Sequence, residues 1–330
     1  MGYKVAIAGA TGAVGIEMMR ILEQRDFPVD DLRLFASSRS AGKKLRFKET
    51  DITVEELKEG CFEKSQVALF SAGGARSRHY GPDAVKSGAV VIDNSSAFRM
   101  DPGTPLVIPE INPEDVKKHK GIIANPNCST IIMLVPLAPV HKKKKIRNII
   151  VSTYQAASGA GAAAMKELED QSRAVLEGGT VKKESFPHQI AFNLFSHNTI
   201  IGENGYNEEE MKMVNETKKI FHDDDIAVSP TCIRVAVYRA HSESIRFETE
   251  ESATPEELNA IVSAAPGITM VDNPSENVFP MPLDASGKDD VMVGRIRRDL
   301  ISPNGFNMWV SGDQLRKGAA LNAVQIAEIL

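Results

Sequence analysis

The chain has 330 residues, 42% hydrophobic and 25% charged. These are the proportions of a soluble globular protein with enough apolar material for one large or two ordinary domains and no need of staples. A formal net charge of -5 gives no electrostatic basis for binding nucleic acid or an anionic membrane surface. Three scattered cysteines, Cys61, Cys128 and Cys232, exclude a disulfide framework and indicate a reducing compartment. No Cys/His spacing suggests a metal site, and no secretory leader or membrane-length apolar run stands out, so a cytoplasmic protein is expected.

The first third alternates short apolar runs with helical patterns. Residues 5–8 read as a strand, 14–22 as a helix, and 32–36, 67–71 and 90–93 as further strands. Such alternation implies βαβ units on a parallel sheet. Gly9-Ala10-Thr11-Gly12-Ala13-Val14-Gly15 lies directly between the first strand and the first helix. Glycines there permit close backbone approach to a pyrophosphate, and the helix N-terminus adds N–H donors and a favourable dipole. The spacing is G-x-x-G-x-x-G rather than G-x-G-x-x-G, and an ordinary tight turn has a similar composition. The strand and helix on either side favour a dinucleotide. The second strand runs out in Ala36-Ser37-Ser38-Arg39-Ser40, with no carboxylate for a ribose hydroxyl. Ser38 and Arg39 suit a 2′-phosphate instead, so NADP is the expected cofactor.

Asn125-Pro126-Asn127-Cys128-Ser129-Thr130 places one cysteine between a turn and the apolar run Ile131-Ile132-Met133-Leu134-Val135. A cysteine at a helix N-terminus faces unpaired N–H groups and the positive end of the dipole, which favours thiolate, the nucleophilic form. A lone cysteine is also an ordinary core residue, and the local sequence leaves both readings open. His141-Lys142-Lys143-Lys144-Lys145 reads as a solvated helix end, where cations suit the dipole.

A strand over 149–153 opens a different region. A Gly/Ala/Ser loop over 156–161 follows, then a helix with Met165, Leu168, Ser172, Val175 and Leu176 on one face, stopped by Gly178-Gly179. Strands over 233–237, 244–248 and 291–296 lack regular helical partners and imply a mixed or antiparallel sheet. Trp309-Val310-Ser311-Gly312-Asp313 leads into a helix expected over 314–330.

Taken together these segments resemble the aspartate-semialdehyde dehydrogenase family, of the bacterial kind. The resemblance runs nearly end to end. It is carried by Gly9 to Gly15, Asn94-Ser95-Ser96-Ala97-Phe98-Arg99, Asn125 to Thr130, Tyr154-Gln155-Ala156-Ala157-Ser158-Gly159, Glu209-Glu210-Met211-Lys212, Arg234 through His241, and Gln314-Leu315-Arg316-Lys317-Gly318-Ala319-Ala320. It implies the reversible conversion of aspartate 4-semialdehyde, NADP and inorganic phosphate into aspartyl 4-phosphate and NADPH. In cells the reaction would run toward the semialdehyde, for lysine, threonine and methionine.

The resemblance implies roles residue by residue. Cys128 is the nucleophile that carries a thioester, His241 the general acid/base, and Gln155 the amide that orients the substrate carbonyl. On chemistry alone His79, His119, His141, His188, His197 and His222 compete with His241. Arg234 is the clamp for the substrate carboxylate and Glu209 the partner of its ammonium. Glu209 is chosen from the run Glu208-Glu209-Glu210 because it stands three before Lys212. Arg99 and Lys212 bind phosphate. The cofactor set is Gly9, Thr11, Gly12, Ala13, Val14, Ser37, Ser38, Arg39, Ser40 and Ala72, with Ser158, Gly159 and Gln314 toward the nicotinamide. The implied architecture is α/β plus α+β. A Rossmann-like NADP-binding domain (1–127 plus 311–330) is joined to a mixed-sheet catalytic and dimerisation domain (128–310), as a homodimer. The nearest alternative is N-acetyl-glutamyl-phosphate reductase, whose blocked amine would gain little from Glu209. A non-catalytic NADP-binding redox sensor is a further one.

Overall fold

A computed structural model describes residues 2–330. The chain divides into two compact units. One comprises the residues through Asn127 together with Ala319–Leu330, the other Cys128–Gly318.

The first unit is built on β1 (Tyr3–Ala8), α1 (Ala13–Gln24), β2 (Val29–Ala36), β3 (Lys44–Phe47), β4 (Thr50–Glu56), β5 (Val67–Phe70), α2 (Gly74–Lys86), β6 (Val90–Asp93) and β7 (Ile122–Ala124). The sheet order is β3-β4-β2-β1-β5-β6-β7. All neighbours are parallel except the β3–β4 pair. Central strands buried on both faces become continuous apolar runs, as Val5-Ala6-Ile7-Ala8 and Val67-Ala68-Leu69-Phe70 do. The hairpin is not anticipated from the sequence, because Lys44-Leu45-Arg46-Phe47 and its partner are short, charged and mostly exposed. The C-terminal helix, Leu321–Glu328, returns to this unit. Its Leu321, Val324 and Ile326 share a core with Val5, Ile7, Met18 and Leu22. Asn322 Nδ2 donates to Asn125 Oδ1 (2.6 Å) and to the Val107 carbonyl (2.9 Å), tying that helix to the turn after β7.

The second unit contains α3 (Cys128–Lys144), β8 (Ile146–Gln155), α4 (Ala162–Leu176), β9 (Leu194–Ser196), α5 (Glu208–Phe221), β10 (Ala227–Val235), β11 (His241–Thr249), α6 (Pro255–Ser263), β12 (Ile268–Met270), β13 (Val291–Arg298) and β14 (Gly305–Gly312). Its sheet order is β12-β13-β14-β11-β8-β10-β9. β8–β10 and β12–β13 are parallel and the other neighbours antiparallel, a mixed sheet. Helices α3, α5 and α6 pack against it. On β8, Ile149, Val151, Thr153 and Gln155 are buried, while Ile150, Ser152 and Tyr154 between them are exposed or half-exposed. This is the period-two signature of a sheet covered on one face.

Three boundaries differ from the sequence expectation. The strand placed at 233–237 spans Ala227–Val235. Its Pro230 is tolerated because β9 pairs only with residues 233–235 on that edge. The return to the first unit begins at Ala319 rather than 311, because Gly305–Gly312 is a strand paired on both sides, with β11 and β13. The helix expected over 314–330 is broken. A wide π turn spans Arg316–Ala320 before Leu321–Glu328 becomes α-helical. The Asp313 carboxylate starts that turn by accepting the N–H groups of Leu315 (2.9 Å) and Arg316 (3.3 Å). No helix among the described residues is long and apolar enough to cross a membrane.

One buried group works against stability. Glu243 on β11 is fully enclosed, and neither carboxylate oxygen has a hydrogen-bond partner among the described residues. Burial pushes its carboxyl well above the usual range. The folded state therefore holds a proton that the unfolded chain releases, and stability falls as pH rises through the window between the two values. Relative to wild type, Glu243→Gln should remove up to about 1.4 kcal/mol of this loss per pH unit. Thermal unfolding of the two proteins from pH 4 to 8 should give midpoints that converge in acid and separate toward neutrality. Parallel curves would show that Glu243 does not change protonation on folding.

Candidate active site

Cys128 is the first residue of α3, immediately after the Asn125-Pro126-Asn127 turn. The helix is anchored by Ile131, Ile132, Met133, Leu134 and Val135, all essentially inaccessible. Its N-terminus is therefore fixed while Cys128 itself stays half-accessible. The two other thiols are buried, and burial pushes both pKa values up. Only Cys128 combines access with the positive end of a helix. A Cβ on Gly318, in the π turn, would come within 2.9 Å of the Cys128 Cβ. The chain passes so close to Cys128 that any side chain there must displace something.

His241 opens β11 with its Nε2 3.5 Å from Cys128 Sγ. Its other nitrogen, Nδ1, accepts the backbone N–H of Ala156 (3.1 Å). A backbone amide only donates, so the proton of the neutral ring is on Nε2, facing sulfur. Burial, reinforced by Arg234 and His197 and opposed by Glu209, pushes His241 down to about 3. The ring is thus a neutral N–H donor to a thiolate or an oxyanion. Serving as base toward a thiol would require the proton to move to Nδ1 and the Ala156 bond to open. The residue before it, Ala240, has φ +71°, and its N–H is held by Gln314 Oε1 (2.9 Å). Gln314 Nε2 also bonds Ser158 Oγ. Gln314 and Ser158, expected near the nicotinamide, thus brace the peptide that aims His241. A Cβ on Gly159 would lie 3.0 Å from His241 Cε1 and 3.2 Å from Arg234 Nη1, so glycine leaves room for both the imidazole and the guanidinium.

Gln155, at the end of β8, donates from Nε2 to Ser129 Oγ (3.0 Å) and to Glu209 Oε1 (3.4 Å). Glu209 Oε2 also accepts from Lys212 Nζ (2.9 Å). The acidic triplet separates by role. Glu208 is exposed. Glu210 completes a capping box with Asn207 and accepts the Cys232 N–H. Glu209 is buried toward Gln155. Arg234 is paired in register with Gln155 and is 3% exposed. Its Nη1 donates to the Ala156 carbonyl (2.8 Å) and its Nη2 to His197 Nε2 (2.9 Å). Its buried Nε–H has no partner among the described residues, which leaves donors for an anion.

The cofactor candidates lie in the first unit. Gly9 has φ +88°, and a Cβ there would strike the Ser71 carbonyl at 2.3 Å, next to Ala72. A Cβ on Gly15 would strike the Gly9 carbonyl at 2.4 Å. α1 begins at Ala13 and Val14 without a side-chain cap from Gly12, so Ala13 and Val14 present first-turn N–H groups suited to a pyrophosphate, while the Gly12 N–H bonds the Gly9 carbonyl (3.0 Å). After β2, Ser37 caps a short turn formed by Ser38, Arg39 and Ser40. Arg39 is exposed and makes no ion pair among the described residues. The residues present fit a dinucleotide. Arg99 is 7% exposed; its Nε donates to the Asn125 carbonyl (2.9 Å) and its Nη2 to the Asn94 carbonyl (2.8 Å), pinning the loops after β6 and β7.

Four positions escape a sequence reading. Ala240 and Gly318 act through backbone geometry, which no residue type announces, and Asp313 through a carboxylate that accepts N–H groups of the π turn. His197 is one of the six competing histidines and touches Arg234.

The family model described as Semialdehyde dehydrogenase, NAD binding domain matches residues 4–119, and Semialdehyde dehydrogenase, dimerisation domain matches residues 137–317. An aspartate-semialdehyde dehydrogenase of Aquifex aeolicus is 55% identical over all of this chain and 98% of its own length. One of Synechocystis sp. is 52% identical over 99% of this chain and 97% of its own. The crystal structure of aspartate semialdehyde dehydrogenase II from Vibrio cholerae complexed with ASA superposes with a TM-score of 0.98 at 46% identity, covering 100% of this chain and 98% of that one. A cysteine and histidine set in contact at the end of a mixed sheet, a glycine-rich strand-to-helix turn, and full-length likeness to these enzymes lead to one conclusion: the chain belongs to the aspartate-semialdehyde dehydrogenases.

Proposed function

We propose that the chain catalyses the NADP-dependent, reversible oxidative phosphorylation of L-aspartate 4-semialdehyde to 4-aspartyl phosphate through a thioester on Cys128. The observation that carries this reading is the 3.5 Å approach of the His241 proton-bearing nitrogen to the Cys128 sulfur at a helix N-terminus.

The Cys128 thiolate attacks the aldehyde carbon. A C–S bond forms and the carbonyl pair moves to oxygen. His241 Nε2–H donates to the developing oxyanion, and Gln155 orients it. Gly9 to Val14 and Ser37 to Ser40 would hold the nicotinamide cofactor, which would supply hydride acceptance or donation when bound. Cys128 carries the thioester that results at the oxidation level of the acid. A phosphate oxygen then attacks the thioester, the C–S bond breaks, and thiolate returns. Through this cycle sulfur is either thiolate or bonded to the substrate carbon and never a thiol, so a neutral His241 that only donates is sufficient. Arg234 holds the substrate carboxylate and Glu209 its ammonium, while Lys212 and Arg99 serve the phosphate. A free ammonium explains a carboxylate at Glu209 better than the N-acetylated substrate of the sister reductase does. The half-exposed sheet face bearing Ile150, Tyr154 and Trp309 is the surface by which two copies pair as a homodimer. In the cell the reductive direction would feed lysine, threonine and methionine formation.

NADPH formation from aspartate semialdehyde should be sustained only when inorganic phosphate is present, and should be absent in Cys128→Ala. Sustained turnover of the wild type without phosphate would contradict the acyl-transfer half of the cycle. Arg39→Ala should lower the kcat/KM ratio of NADP over NAD by about tenfold or more, the worth of charged hydrogen bonds to one phosphate. An equal loss with both cofactors would remove Arg39 from 2′-phosphate recognition.

A further inference from the structure

His197 follows β9, the edge strand paired with β10. Its backbone N–H bonds the Cys232 carbonyl (2.8 Å), which fixes the ring beside Arg234, two residues further along β10. A guanidinium has no lone pair to offer, so in the 2.9 Å contact with Arg234 Nη2 the imidazole Nε2 must accept. The ring is therefore neutral, with its proton on Nδ1. Burial, with Arg234 and Lys212 adding and Glu209 opposing, pushes His197 down to about 4, which keeps that lone pair available at neutral pH.

The proton on Nδ1 has a defined destination. Thr199 Oγ1 lies 3.3 Å away. That hydroxyl also accepts the Glu209 N–H (3.2 Å) and donates to Asn207 Oδ1 (3.4 Å). Asn207 is the N-cap of α5, accepting the Glu210 N–H at 3.0 Å. Every capacity of the Thr199 hydroxyl is used, and the direction of each bond follows from the one before. A continuous chain runs from the Arg234 guanidinium through His197 and Thr199 to the N-terminus of the helix that carries Glu209 and Lys212. On its other side the guanidinium is held by the Ala156 carbonyl and lies over the Phe186 ring, 5.5 Å from its centroid.

We propose that His197 is a positioning residue for substrate recognition: as a neutral acceptor it sets the orientation of the Arg234 guanidinium and, through Thr199 and Asn207, locks it in one frame with Glu209. The inference rests on Arg234 being the carboxylate clamp. Its consequence is specific to the substrate's amino-acid end, because the residues that touch the reacting carbon, Cys128 and His241, are held by other bonds.

The test is steady-state kinetics of His197→Ala, His197→Gln and Arg234→Ala, with folding checked by thermal unfolding. Loss of a hydrogen bond to a charged group predicts that His197→Ala raises KM for aspartate semialdehyde about ten- to a hundredfold, with kcat changed less than threefold. In His197→Gln the amide oxygen accepts and the amide nitrogen donates, so KM should recover to within about threefold of wild type. With 3-aminopropanal, the substrate without its carboxylate, kcat/KM of His197→Ala should match that of wild type. If the alanine variant does not fold, His197→Leu fills the space without an acceptor and serves the same purpose. An unchanged KM in His197→Ala beside a raised one in Arg234→Ala would overturn the positioning role alone. A KM that does not rise in Arg234→Ala would overturn the clamp and this inference with it. Equal losses with both aldehydes would assign His197 a general structural role and overturn the proposal.

Discussion

The bond from the Ala156 N–H to His241 Nδ1 is the constraint on which the chemistry depends. It fixes the tautomer, and the tautomer decides that the nitrogen facing Cys128 carries a proton. The bond exists because β8 and β11 are antiparallel neighbours: Ser242 sits opposite Tyr154, so the first residue of β11 meets the loop that follows β8. A central pair of strands in the mixed sheet therefore places His241, and the N-terminus of α3 places the Cys128 sulfur. Neither side chain has to be ordered by substrate, so the entropy of bringing them together is met on folding rather than during turnover.

The same sheet end gathers Arg234, Gln155 and Glu209, the proposed recognition groups. Arg234 and Gln155 are register partners on β10 and β8. Glu209 is delivered by α5, whose capping box consumes Glu210 and leaves Glu209 to face Gln155. Charges buried this deeply are costly unless paired. Here each leans on a neighbour: Glu209 on Lys212 and Gln155, Arg234 on Ala156 and His197. Glu243, two residues beyond His241 on the same buried face, has no such partner among the described residues and is held protonated instead.

The parallel first sheet is legible in the sequence because its strands are unbroken apolar runs separated by helical patterns, and the glycine turn sits where a strand must become a helix. The hairpin of β3 and β4 is hidden by its charges. β14 does carry a period-two pattern in Phe306, Met308 and Val310, but Gly312 and Asp313 beside it read as the start of a helix. Cys128 is marked locally by its turn and the apolar run behind it. His241, Arg234 and Glu209 are not marked locally at all. Each is an ordinary polar residue until strand pairing brings it near sulfur, and only family resemblance selects them in advance. His197 is less visible still, since its partner Arg234 lies 37 positions away and the contact depends on the register of an edge strand of three residues.

The central claim is that Cys128 alone among the three cysteines becomes acylated, because it alone joins accessibility to a helix N-terminus and a donated imidazole proton. The direct measurement is intact-mass and peptide-mapping analysis of the wild-type protein quenched after mixing with semialdehyde and NADP in phosphate-free buffer. The account predicts a stoichiometric burst of NADPH and an acyl adduct on the peptide containing Cys128. A burst without an adduct, or an adduct on Cys61 or Cys232, would contradict it.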